Sequence, residues 1–176
     1  IMHFKRSLPV GVDAVNENIQ LSDDVLSEAE QYAWKSTSPS PEDSFLRALY
    51  EYAGKQYNAS LGYYGQAIRD SEGKSGVEGL YDSFYYMNRG VLRADMIDFI
   101  ASIESNVQVL SMDDSGNTRA RVKDQVSRVY DYDDAIEDMK SAAEILPDSP
   151  YIYFNLGNLY CLSKEHVKSI ENYTKA

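Results

Sequence analysis

The feature of this sequence that most constrains its fold is an internal repeat. When the chain is shifted against itself by 67 residues, residues 86–104 align with 153–171, and seven of the nineteen positions are identical; average residue usage would give about one. Shifts of 34 and 75 residues give shorter matches. A unit of about 34 residues explains all three shifts if one insertion of about eight residues lies at 71–80. A chain of such units stacks each unit on its neighbours, so its core runs along the array.

The patterns within each unit are helical. Ser40 and Pro41 predict a helix start, because Ser suits the N-cap and Pro suits the first helical position. In the N-terminal segment 1–37, apolar residues at helical spacing follow the capping residue Ser22 and predict one helix over about 22–35. No stretch shows the period-two alternation of a strand. The sequence therefore predicts an all-α fold.

The last unit resembles the tetratricopeptide repeat (TPR) family. The first-helix spacing of that repeat, a large aromatic residue followed by Leu-Gly and then Tyr, is matched by Tyr153, Leu156, Gly157 and Tyr160. The resemblance implies a right-handed superhelical array of helix-turn-helix hairpins, an α-solenoid with a concave groove. Over 38–176 we expect four units: 41–82 with its insertion at 71–80, 83–115, 116–149 and 150–176.

The resemblance also implies which residues pack inside each hairpin. Small residues should let the paired helices approach closely, namely Ala48, Gly90 and Gly157 on first helices and Ser60, Ser102, Ala135 and Ser169 on second helices. Four apolar residues should fill the space between helices: Leu61, Ile103, Ile136 and Ile170. Because the fourth unit stops at Ala176 within its second helix, the chain looks like part of a longer protein. Its last hairpin is expected to leave an apolar side uncovered, through which copies could self-associate.

Composition argues against several classes of function. The 17 basic and 28 acidic residues give a net charge of −11, which disfavours nucleic acid as a partner. With one cysteine and two histidines, the sequence offers no catalytic set, and we expect no metal site and no cofactor. Apolar runs are too short for membrane insertion. The sequence is typical of a soluble segment, and leaves the cytoplasm and the periplasm both open.

A TPR-like array is expected to bind its partners on the inner faces of the first helices. The side chains expected to line that groove are Asn88, Asp95, Asn117, Arg121, Arg128, Tyr151, Asn155 and Asn158. The resemblance implies that asparagines there hold a peptide main chain, and the arginines could bind a carboxylate. The favoured function is a non-catalytic scaffold or adaptor that binds another protein or peptide. One alternative is a regulatory or substrate-binding segment of a larger enzyme or cell-envelope assembly, and another is that these polar residues are simply solvated.

Overall fold

A computed structural model describes residues 37–74, 76–109 and 131–176, with backbone alone at 77–78 and 104–109. The described residues form six α-helices and no strand: α1 (Pro41–Ala53), α2 (Tyr57–Ser71), α3 (Val77–Val109), α4 (Asp133–Ile145), α5 (Pro150–Leu162) and α6 (His166–Lys175). The all-α prediction is therefore confirmed for these residues. The helix predicted over 22–35 lies outside them.

Helix α1 begins as the sequence predicts. The Asp43 backbone N–H donates to Ser40 Oγ (3.1 Å), and the Ser40 backbone N–H donates to Asp43 Oδ2 (2.9 Å). Pro41 occupies the first turn, where its missing N–H costs nothing. Two exposed donors at the helix N-terminus are thus satisfied by one reciprocal pair.

The pairs α1–α2 and α5–α6 are closed by the same three-residue turn. Lys55 and Lys164 occupy equivalent places and both have positive φ, 59° and 64°. In each turn the last residue donates its backbone N–H to a carbonyl five residues earlier, from Gln56 to Glu51 and from Glu165 to Tyr160, both at 2.8 Å. The same turn conformation thus closes both pairs, 109 residues apart in the sequence.

Small residues face each other inside both of these pairs, as predicted. Ser60 Oγ donates to the Ala48 carbonyl (2.7 Å), and Ser169 Oγ donates to the Gly157 carbonyl (2.8 Å). Both bonds span twelve residues. A side chain larger than serine at these places would push the helices apart.

Helices α3 and α4 form a third pair in the same register, although they are far apart in sequence. A Cβ atom on Gly90 would lie 3.0 Å from the Ala135 carbonyl oxygen and 3.1 Å from Met139 Cε. Gly90 therefore faces Ala135, 45 residues away, which is 33 more than the separation in the other two pairs. The described residues thus contain three helix pairs, and the connection within the middle pair covers 110–132.

The prediction that 83–115 forms a hairpin is wrong, because α3 continues without interruption to Val109. The turn would have required Ile97 to occupy the place of Lys55 and Lys164, where φ is positive. A β-branched residue strongly disfavours that backbone conformation, so the helix continues. Ser102 and Ile103 consequently lie on α3 itself. Of the predicted unit 116–149, the described part contains the second helix, α4.

The insertion predicted at 71–80 coincides with the turn before α3 and with the first residues of that helix. Gly90 is the fourteenth residue of α3, whereas Ala48 and Gly157 are each the eighth residue of their helices. The additional residues therefore lengthen α3 at its N-terminal end. Gly73 and Gly76 have positive φ in the turn, which glycine accepts without strain.

Among the described residues, the core consists of two clusters that meet at α3. One cluster joins α1, α2 and α3 around Phe45, Tyr64 and Tyr85, and the other joins α3, α4 and α5 around Met139 and Leu159. Contacts between neighbours run in chain order, α2 on α3 and α4 on α5, so each pair packs on the next. Burial on both sides makes α3 the central element of the described structure.

The predicted filling residues do not all lie between helices. Ile136 is buried, whereas Ile103 is 48% exposed and Ile170 is 66% exposed, so the prediction is wrong for these two. Ile103 lies on the extension of α3 beyond its paired region. Ile170 lies on α6 with most of its side chain exposed.

Candidate interaction surface

Three of the predicted groove residues, Asn88, Asn155 and Asn158, are buried. Asn88 Nδ2 donates to the Phe84 carbonyl one turn earlier (2.8 Å), and Asn158 Oδ1 accepts from the Tyr173 hydroxyl (2.7 Å). The expectation that these amides face water is wrong for all three. The side chains on this face of α3 and α5 take part in helix packing.

The remaining predicted groove residues do not form one site. The Tyr52 hydroxyl donates to Asp95 Oδ2 and so links α1 to α3. Tyr151 is half-buried and packs against the cluster formed by α3, α4 and α5. Asn117, Arg121 and Arg128 lie outside the described residues. Among the described residues, the structure therefore does not bring the predicted groove set together on an open surface.

A charged cluster, which sequence reasoning missed, joins α3 to α4. Arg89 donates to both oxygens of the buried Asp138 carboxylate, with Nε to Oδ2 at 3.0 Å and Nη2 to Oδ1 at 2.7 Å. Arg93 Nη1 donates to Asp138 Oδ2 and to the Asp134 carbonyl, both at 2.9 Å. Two arginines one turn apart on α3 thus hold two aspartates one turn apart on α4.

Burial raises the pKa of the Asp138 carboxyl above its ordinary value, and the hydrogen bond from Arg89 opposes that rise. The Arg89 guanidinium also lies over the Tyr86 ring, 5.5 Å from its centroid. The sequence contains one indication of this cluster, because the 67-residue shift aligns Arg89 with Leu156. The cluster is structural, since its polar groups are satisfied by one another within the helix pair.

An apolar cleft opens beside α3. Its larger part has a volume of 390 Å³ and is lined by Leu61, Arg93, Met96, Ile97, Ile100, Asp131, Asp134 and Ala135. An adjoining part of 260 Å³ shares Met96 and Ile100 and extends to the turn before α2, lined also by Lys55, Gln56, Tyr57, Asn58, Ala59 and Phe99. These two parts together are called the α3 cleft below.

One side of α3 forms an apolar stripe along this cleft. Its members are Met96, Phe99, Ile100 and Ile103, which follow the i, i+3, i+4, i+7 spacing of one helix face. The first three line the cleft, and Ile103 lies beyond it. Phe99 is 40% exposed, and its ring contacts Tyr57 edge-on with centroids 5.1 Å apart. The stripe exists because α3 does not turn at Ile97. Sequence reasoning missed it by assigning Ile103 to the space between the two helices of a hairpin.

Within the part of the chain that the structure describes, no group of three His, Cys, Asp or Glu side chains is placed to hold a metal ion. None of the six described helices combines the length and apolar character needed to cross a bilayer. No protein-family model and no curated protein matches the chain.

Proposed function

We propose that this protein is a non-catalytic interaction scaffold, built as a right-handed array of TPR-like helix pairs, that binds a peptide or a partner helix. The support for the repeat is the twelve-residue contact between small residues, found at Ser60 and Ala48 and again at Ser169 and Gly157. The approach of Gly90 to Ala135 repeats it in the middle pair. Arrays of this kind offer extended surfaces on which partners bind.

The α3 cleft is the surface that best supports this function. The observation that carries the proposal is the apolar side of α3 along the cleft, made of Met96, Phe99 and Ile100, with Phe99 40% exposed. An amphipathic helix commonly binds by laying its own apolar face into a hydrophobic groove. Phe99 is the expected central anchor, because aromatic side chains dominate the energy of such contacts.

Peptide display against the purified chain tests this proposal. Selected peptides should lose at least about tenfold in affinity on the Phe99→Ala and Phe99→Asp variants, which is roughly 1.4 kcal/mol. Leu80→Asp is the matched control, because Leu80 is 41% exposed on the same helix but does not line the cleft. Circular dichroism verifies that all three variants remain folded. Failure to select any peptide, or peptides that bind all variants equally, would contradict the proposal.

A further inference from the structure

The chain between α3 and α4 has to return to the α3 cleft. Helix α3 ends at Val109, and the described chain resumes at Asp131, which itself lines the cleft. Arg93 lines the same part of the cleft, and Val109 lies sixteen residues further along α3, which is about 24 Å of helix. The connecting residues 110–130 therefore cover this distance in the direction opposite to α3 and end at the edge of the cleft.

The contacts between α3 and α4 fix the register in which the chain returns. Ser83 Oγ donates to the Ala142 carbonyl (3.0 Å), and Gly90 faces Ala135. The second contact lies seven residues later on α3 and seven residues earlier on α4. The two helices are therefore antiparallel, and each residue back from α4 corresponds to one residue forward along α3.

The connection contains a short apolar pattern that fits this register. Three of its residues have the i, i+4, i+7 spacing of one helix face: Val122, Val126 and Val129. A helix over 118–129 that continues the register has Val129 level with Met96 and Val126 level with Phe99. Its apolar face therefore comes level with the apolar residues of α3 that line the cleft.

The covalent link favours this segment over any separate partner. Residues 118–129 are joined to the edge of the cleft through Asp131. A segment tethered over so short a distance meets its binding surface at an effective concentration in about the millimolar range. A separate peptide in dilute solution has to compete with that concentration.

We propose that residues 118–129 form a helix that occupies the α3 cleft. Val126 and Val129 then pack against Met96 and Phe99. An external peptide binds the cleft only when it displaces this helix. The inference rests on the proposed function, because it names the regulation of the same binding surface.

Photo-cross-linking from position 99 tests this occupant. With benzoylphenylalanine in place of Phe99, irradiation should join position 99 to residues 118–129 of the same chain, which mass spectrometry identifies in the product of monomer mass. Val126→Asp should remove most of this product, because it places a carboxylate in an apolar contact. The matched control is Ser127→Asp, which adds the same charge on a side of the expected helix away from the valines and should keep the yield.

Peptides selected by display give the second measurement. They should bind the Val126→Asp chain about tenfold more tightly than the wild type if the helix fills the cleft nine-tenths of the time. Four outcomes would overturn the inference: no cross-link from position 99 to 118–129, a product that survives Val126→Asp, a product that joins two chains, or equal peptide affinity for both chains.

The same two measurements separate this inference from the proposed function. Selected peptides whose binding depends on Phe99, in a chain that gives no cross-link to 118–129, would leave the scaffold proposal standing and remove only this segment as occupant. A cross-linked segment in a chain for which no peptide can be selected, even with Val126→Asp, would contradict the proposed function and leave the helix in the cleft.

Discussion

The turn-closed pairs α1–α2 and α5–α6 differ from the middle pair α3–α4 in how their helices are held together. The former are joined by three residues and carry a serine-to-carbonyl bond across the interface. In the latter, the connection covers 110–132 and Ala135 takes the place of the serine. The middle pair instead has Asp138 held by Arg89 and Arg93. The same packing register is thus kept with two different sets of polar contacts.

The middle pair thus depends on charge-assisted contacts. Hydrogen bonds to charged groups contribute about 1.5–3 kcal/mol, against about 1 kcal/mol for a neutral bond. The two arginines bonded to Asp138, called the clamp below, therefore take the place of the serine bond between α3 and α4.

Of the changes considered, removal of Arg89 should lower the free energy of unfolding the most. We expect Arg89→Ala to lower the free energy of unfolding by about 3 kcal/mol, because it leaves a buried carboxylate with only Arg93 as its partner. Without Arg89, the pKa of Asp138 should rise further. The folded variant then binds a proton at Asp138 more readily than the unfolded chain does. The difference in unfolding free energy between variant and wild type should therefore shrink as the pH falls below neutral. Urea unfolding at neutral and mildly acidic pH measures both effects. A deficit that is small, or that grows on acidification, would contradict the role of the clamp.

Enlargement of Gly157 tests the packing of a turn-closed pair. We expect Gly157→Leu to cost about 2 kcal/mol, because even a Cβ atom there would overlap the Tyr173 ring. The matched control is Gly62→Leu on α2, where no atom lies within 4 Å of the new Cβ. That change should be neutral or stabilising, since leucine favours a helix over glycine. Thermal unfolding of both variants tests this, and Gly157→Leu should melt at the lower temperature. Equal melting temperatures for the two variants would refute close packing at Gly157.

Loss of a serine hydroxyl should have a smaller effect, and only in the turn-closed pairs. Ser60→Ala and Ser169→Ala should each cost about 1 kcal/mol, the net contribution of a neutral hydrogen bond. The two costs should be similar, because both hydroxyls donate across equivalent interfaces at nearly equal distances. Chemical denaturation of the two variants checks this. A loss at one site and none at the other would show that the pairs are not equivalent.

Addition of a serine to the middle pair should have the smallest effect on stability. Ala135→Ser should stabilise the chain by about 0.5 kcal/mol, since a new bond to the Gly90 carbonyl outweighs the lower helix propensity of serine. The gain should persist in the Arg89→Ala background, where it would offset part of the deficit. A destabilised Ala135→Ser variant would indicate that α3 and α4 approach each other in a different way from the other pairs.

Much of the fold could be predicted from the sequence. The start of α1 and the packing of Ala48, Ser60, Gly157 and Ser169 follow from local rules and from the repeat. The continuous α3 was missed, because Ser102, Ile103 and Glu104 repeat the letters of Ser169, Ile170 and Glu171 without repeating the turn before them. Ile97 was the informative residue, since positive φ excludes a β-branched side chain there.

The candidate site was less predictable than the fold. Asn88 and Asn155 share a place in the repeat, but their burial depends on neighbouring helices that one sequence does not locate. The partner of Arg89 lies 49 residues away, which no local pattern indicates. The α3 cleft exists only because α3 passes Ile97 without turning. The cleft could therefore be predicted only if the backbone conformation at Ile97 were already known.

The distance between Gly90 and Ala135 tests the central claim most directly, namely that the middle pair keeps the common register across a long connection. Nuclear Overhauser effects measured on a labelled chain should link the Gly90 α-protons to the Ala135 methyl group. They should not link Gly90 to Ser102, which lies twelve residues on and would face it in a turn-closed hairpin. Contacts from Gly90 to Ser102, without any to Ala135, would contradict the account and restore a hairpin within 83–115.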